Sequence, residues 1–178
     1  MVSTMQDKAM DVRKNPRYRQ LRKALKEGLY DYPFADTEKE LKDLHRSLDT
    51  RKWTDKSLRR NGVKLLIGAS IQNQSYRSRL VEILIQVRRY HNNLDREYQL
   101  VRDHLMQEHP DRFEGRTKED RMRSVNALFE TVISRLAQYV SLMDDIKIVI
   151  DDLDKSAWQL KTILEVSKII NHPAERNL

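Results

Sequence analysis

The chain has 178 residues, of which 34 % are charged and only 7 % aromatic, with four glycines and four prolines. That length supports one domain or one domain with an arm, and that composition fits long charged helices rather than a sandwich or an α/β sheet. The absence of cysteine excludes disulfides and thiolate zinc sites, while 34 basic against 27 acidic residues leave a net charge of +7, a balance that favours a polyanionic partner.

The first residues, with Met5, Asp7 and Lys8, carry no apolar signal core. No apolar run approaches the roughly 18 residues of a membrane helix. The expectation is a cytoplasmic protein (host cytoplasm if the source is viral) with no membrane partner. Residues 1–35 read as a basic N-terminal arm, with eight basic and three acidic groups in residues 1–27. Pro16 suits a helix start, and a charged helix is predicted from Arg17 to about Gly28. Arg13, Lys14, Arg17, Arg19, Arg22 and Lys23, with Tyr18 among them, are candidate nucleic-acid contacts in which the ring stacks on an unpaired base. A flexible solubilising arm is the plainer alternative. Tyr30-Asp-Tyr-Pro-Phe34 reads as a turn or extended hook, because Pro33 biases its predecessor away from helix. Its three aromatics can pin the arm onto a neighbour.

Residues 36–61 read as short helices. Thr37 followed by Glu40 resembles a capping box and predicts a helix over about 38–49. Thr54 can cap another that ends at Gly62. From Val63 the pattern is helical to about Glu108, with a seam that includes Leu66, Leu80, Leu84, Val87, Leu94, Tyr98, Val101 and Leu105 at steps of three and four. Asn73, Arg77 and His91 interrupt it. They either fix the register of a helical interface or face solvent where the helix turns away.

This region is also the most basic, with eleven basic and three acidic residues over 51–96. Arg59, Arg60, Arg77, Arg79, Arg88, Arg89 and Arg96 are candidate phosphate ligands, since a guanidinium fork donates two parallel hydrogen bonds. Solvation, or ion pairs with Asp144, Asp145, Asp151 and Asp152 within or between subunits, are the competing readings.

His109-Pro-Asp-Arg-Phe-Glu-Gly115 breaks the helix, and Thr117 with Asp120 supplies the next cap. A single helix is predicted over about 117–170, its stripe running Met122, Val125, Phe129, Val132, Leu136, Tyr139, Met143, Ile146, Ile150, Leu153, Ala157, Leu160 and Leu164. Leu128, Val140, Leu142, Val149, Ile163 and Val166 widen it beyond what one partner helix covers. Residues 62–178 are therefore expected to form a long antiparallel helical hairpin, in an all-α, coiled-coil-like bundle. Val132, Leu136, Tyr139, Met143, Ile146, Ile150 and Leu153 are the candidate residues for homo-oligomerisation. His172 to Leu178 read as a frayed tail.

Enzymatic readings find little. His104 and Glu108 lie one turn apart but no second pair completes a metal shell. The carboxylates of Asp151, Asp152 and Asp154 point in different directions from one helix. There is no phosphate-cradling glycine loop. No catalysis, cofactor or metal is expected.

Gln138-Tyr139, Leu142-Met143-Asp144-Asp145 and Asp152-Leu-Asp-Lys-Ser-Ala-Trp-Gln-Leu-Lys161 resemble the C-terminal helix of UvsY-type recombination mediators of tailed phages. Lys155, Ser156, Trp158, Leu160 and Lys161 match the family's ending, with one residue fewer between serine and aromatic. The resemblance covers about 25 residues and leaves the N-terminal arm unexplained. It implies a ring-forming helical protein that binds single-stranded DNA and helps load a recombinase. The expected function is thus a non-catalytic, oligomeric nucleic-acid-binding accessory protein that grips the phosphate backbone. The alternatives are a scaffolding protein with protein partners, or a phage packaging adaptor that reads DNA through the helices near 38–60.

Overall fold

The computed structural model describes residues 12–49, 55–110, 113 and 117–171, the side chains of residues 48, 49, 55–61, 63 and 167–171 excepted. All regular structure among the described residues is helical. The elements are α1 (Pro16–Lys26), α2 (Phe34–Asp49), α3 (Asp55–Glu108), α4 (Lys118–Asn126), a 3-10 turn (Ala127–Phe129) and α5 (Glu130–Asn171). The all-α hairpin expected from the sequence is the fold. Its chain divides into two compact units, one of Met1–Pro33 with Val87–Ser141, the other of Phe34–Gln86 with Leu142–Leu178. The long helices α3 and α5 contribute to both.

In the first unit α3 and α5 pair antiparallel: Tyr90 meets Tyr139, and farther along α3 Tyr98 meets Phe129. Leu94, Tyr98, Val101 and Leu105 are buried with Val125, Phe129, Val132 and Tyr139. The arm closes over this core. Asn15 caps α1 by accepting from the Arg17 and Tyr18 amides at 3.0 and 3.4 Å, and Pro16 needs no amide partner at that position. The Asn15 amide also donates to Glu108 at 3.2 Å. Gly28 ends the turn with φ 75, a left-handed conformation suited to glycine, and the Leu29 amide returns to the Ala24 carbonyl at 3.0 Å.

Residues 12–33 are therefore not a loose arm. Val12, Tyr18, Leu21, Tyr30 and Tyr32 are all buried. Tyr18 is 4 % exposed and packs edge-to-face on Phe129 at 5.4 Å, so it offers no face to a base, which corrects the stacking expectation. Its hydroxyl donates to the Leu128 carbonyl at 3.0 Å. That bond also bears on the helix predicted as unbroken over 117–170, which tightens into the 3-10 turn at 127–129. The tightening disturbs the regular carbonyl ladder, and Tyr18 supplies an outside donor there.

In the second unit the same antiparallel order holds. Asn73 pairs with Ser156, 83 residues on, and Arg77 with Asp154, 77 residues on. Leu66 and Ala69 bury against Leu160, with Ile163 and Leu164 packed beside them. Two boundary expectations need correction. α2 begins at Phe34, directly after Pro33, so Thr37 lies buried inside the helix and the Thr37–Glu40 capping box does not form. The helix predicted to end at Gly62 instead runs from Asp55 straight through Gly62 and Gly68 into the rest of α3. A helical glycine costs only about 1 kcal/mol relative to alanine, which packing at Leu66, Ala69 and Leu80 outweighs.

The cap predicted at Thr117 is present, with the Thr117 hydroxyl accepting from the Asp120 amide at 3.1 Å and the Asp120 carboxylate accepting from the Thr117 amide at 3.4 Å. Along α5 the inward stripe is Val132, Tyr139, Leu142, Ile146, Val149, Leu153 and Leu160. Leu136, Met143 and Ile150 are half-buried and Ala157 is exposed. The true stripe is thus turned toward Leu142 and Val149 from the predicted one.

Candidate nucleic-acid interface

The predicted arginines separate by their partners. Arg77 donates to Asp154 at 2.7 Å, and that hydrogen bond and charge raise its pKa further. Arg79 donates to Glu40 at 3.1 Å and stands 3.8 Å from Glu82. These two belong to the second unit. Their partners are carboxylates the sequence did not point to, because Glu40 lies on α2 and Asp154 lies 77 residues from Arg77 on α5. The side chains of Arg59 and Arg60 lie outside the described residues.

Arg88, Arg89 and Arg96 stand on α3 in the first unit, all exposed. Among the described residues none of the three has a carboxylate within ion-pair distance. Arg89 and Arg96 are two helical turns apart, a rise of about 10.5 Å along one side of the helix. Tyr90, 36 % exposed, follows Arg89 and packs on the buried Tyr32 ring at 5.5 Å. This is a compact cationic strip with one partly open aromatic ring at its edge.

The cations of α1 form a second site. Arg13, Lys14, Arg17 and Arg19 are all exposed. Arg13, Arg19, Arg22, Lys23 and Lys26 line an open groove of about 700 Å³, whose other wall comes from Leu128 and Phe129 of the 3-10 turn and Glu130 and Val132 at the start of α5. Leu21 and Leu25 also line it. Arg22 lies over the Tyr18 ring at 5.9 Å. Lys23 pairs with Glu27 at 3.6 Å, with both side chains largely in water. Sequence reasoning found the α1 cations but missed the groove. Its far wall lies more than a hundred residues away, and the only signal was Leu128 widening an apolar stripe.

The polar residues of the α3 seam behave differently from one another. Asn73 is 2 % exposed and donates to the Ser156 hydroxyl at 3.0 Å, a buried polar contact of the kind that fixes register. Arg77 faces outward. His91 is half-buried and meets the Tyr139 ring edge-on at 6.4 Å.

Tyr139 anchors the arm. Its hydroxyl donates to the Tyr30 carbonyl, which Arg135 also reaches at 3.3 Å while pairing with Asp31. Burial strips the phenolate of hydration and pushes Tyr139 up to about 12, with Arg135 opposing and Tyr90 and Tyr32 adding to the rise. Burial, then the Glu97 charge, raises Tyr30 as well. Both phenols stay neutral, and Tyr139 acts as a donor that latches backbone to helix.

The residues assigned to homo-oligomerisation lie mostly in the chain's own core. Val132, Tyr139, Ile146 and Leu153 are buried by it, whereas Leu136, Met143 and Ile150 keep partial exposure. His104 and Glu108 pair with each other at 3.2 Å, and Asp152 meets His45 at 3.6 Å and Lys155 at 3.2 Å. Among the described residues no cluster of three or more histidines and carboxylates is placed to hold a metal ion. None of the described helices is long and apolar enough to cross a membrane. Comparison with protein-family models, curated proteins and solved structures finds no match to this chain.

Proposed function

We propose that this protein is a non-catalytic accessory protein that binds the phosphate backbone of nucleic acid without reading its sequence. One observation carries the reading: Arg88, Arg89 and Arg96 project into solvent without a described carboxylate partner, while Arg77 and Arg79 are neutralised within the fold. An arginine already paired must give up that partner to bind phosphate, and an unpaired one need not. The partly open Tyr90 ring beside Arg89 suits an unstacked base, which favours single-stranded DNA, the ligand implied by the UvsY-type resemblance of α5. Arg13, Arg17 and Arg19 add to the field that draws a polyanion toward this unit.

Binding to an unlabelled single-stranded oligonucleotide, titrated across salt concentration, tests the reading. Each phosphate contact contributes about 0.7 to the slope of log affinity against log salt for a single strand. Arg88→Ala with Arg89→Ala is expected to reduce that slope by about 1.4, whereas Arg77→Ala with Arg79→Ala leaves it unchanged. Absence of binding at low salt removes the proposal and leaves the scaffolding reading, which the exposed Trp158 favours.

A further inference from the structure

Two further surfaces lie outside that strip, each wholly within one unit. The first is the outward side of α5 in the second unit, where Asp144, Ile148, Asp151, Lys155, Trp158 and Val166 follow one another at helical spacing. Ile148 is 56 % and Trp158 69 % exposed, and Val166 is also exposed. They stand opposite the buried stripe of Ile146, Leu153 and Leu160, so this helix is apolar on both sides and covered on one. A helix of that pattern is completed by a second cover.

The charges around the stripe say what that cover is. Among the described residues Asp144 pairs with Lys147 of its own helix, at 2.8 Å. Asp151 has no ion-pair partner among the described residues. The stripe also carries Lys155, which pairs with Asp152 of the same helix at 3.2 Å, so among the described residues the charge it leaves unmatched beside Ile148 and Trp158 is the Asp151 carboxylate. The groove between α1 and the start of α5 in the first unit offers the complement. Its lining is apolar at Leu21, Leu25 and Val132 and cationic at Arg19, Arg22 and Lys26, against the single acid Glu130. The groove is poorly suited to bases, because its aromatic rings, Tyr18 and Phe129, are buried and present no open face.

We infer that the outward face of α5 in one copy of this chain seats in the basic groove of a second copy. The contact joins two different surfaces and is therefore head-to-tail, which closes into a ring or extends as a filament. The groove meets Asp144 and Asp151 with arginine and lysine. Ile148 and Trp158 supply the apolar area and the charges supply the orientation. This contact does not depend on nucleic-acid binding by Arg88, Arg89 and Arg96.

Light scattering of the full chain without nucleic acid tests it. At low salt the mass is expected to be a multiple of 21.3 kDa. Raising the salt from about 0.05 M to about 0.5 M screens the complementary charges and lowers it. Arg22→Glu with Lys26→Glu, and separately Asp144→Lys with Asp151→Lys, are each expected to give monomer, with circular dichroism confirming retained helix. The chain carrying all four reversals regains complementary surfaces and assembles again. Arg88→Ala with Arg89→Ala assembles like the parent. A parent chain that stays at 21.3 kDa at both salts overturns the inference, as does a mass indifferent to either reversal. Failure of the four-reversal chain to assemble, while folded, overturns it too. If the groove variant loses oligonucleotide binding with its mass unchanged, the groove is a nucleic-acid surface and the inference is wrong. Should a reversal unfold the chain, the salt dependence of the parent and the loss of assembly in Trp158→Ala decide the outcome.

Discussion

Asn73 and Ser156 are hydrogen-bonded across the antiparallel α3–α5 seam of the second unit, at 3.0 Å, with Asn73 almost wholly buried. A polar pair among Leu66, Ala69, Leu80 and Leu160 restricts the register in which α3 and α5 can slide, because any shift by one turn strands an amide in apolar surroundings. Leaving a buried polar partner unmet costs about 1–3 kcal/mol. The Ser156 hydroxyl left by Asn73→Ala is only half-buried and can meet water, so that variant is expected to cost about 1 kcal/mol. A denaturant double-mutant cycle with Ser156→Ala should return a coupling of about 0.5–1.5 kcal/mol for the bond itself. A coupling of zero would mean the pair plays no part in register.

The core and the surface of the hairpin should respond very differently to truncation. Ile146 is fully buried on α5, so Ile146→Ala removes packed methylenes and leaves a cavity at a cost of about 2–5 kcal/mol. Leu100 on α3 is half exposed, and Leu100→Ala should stay within about 0.5 kcal/mol of the parent. Urea melts of the two variants check the contrast, and similar midpoints would contradict the burial pattern.

Alkaline pH should loosen the arm before the rest of the chain. Tyr139 titrates near 12 in the folded protein, above its ordinary value of 10.0. Below about pH 10 both folded and unfolded chains hold the proton and the contribution is fully present. Between about 10 and 12 the unfolded chain ionises first, so folding stability falls as pH rises through that window. Tyr139→Phe should abolish that part of the pH slope. It should also expose residues 12–33 to faster hydrogen exchange, since the donor to the Tyr30 carbonyl is gone. An unchanged slope in the variant would assign the alkaline transition to other groups.

The start of α4 depends on its reciprocal cap. Thr117→Ala removes the hydroxyl that accepts from the Asp120 amide and should cost about 1 kcal/mol. Thr117→Asn, which keeps an accepting side chain, should recover most of it. Thermal melts that do not distinguish alanine from asparagine would show the cap contributes nothing.

The helical class and antiparallel topology were legible in the chain because helix is a local property. Apolar residues recurring at three and four from Leu66 to Leu105 and from Val125 to Leu164 specify helix wherever the chain ends up. The helix start at Pro16 and the cap at Thr117–Asp120 act over a few residues and could be read in the same way, whereas the Asn15 cap came only from the structure. Boundaries were less legible where tertiary packing overrode local propensity, as at Gly62, which α3 passes through, and at Thr37, which α2 buries.

What only the tertiary structure decided is which charged and aromatic groups remain available. Arg77 and Arg88 are alike in the sequence, yet one is matched to Asp154, 77 residues away, and the other faces solvent. Tyr18 reads as a base-stacking ring until Phe129 covers it, 111 residues downstream, and its hydroxyl finds the Leu128 carbonyl. The groove beside α1 exists only because the start of α5 closes its far side. Periodicity is set by near neighbours along the chain, whereas charge neutralisation and exposure are set by groups brought together from far apart.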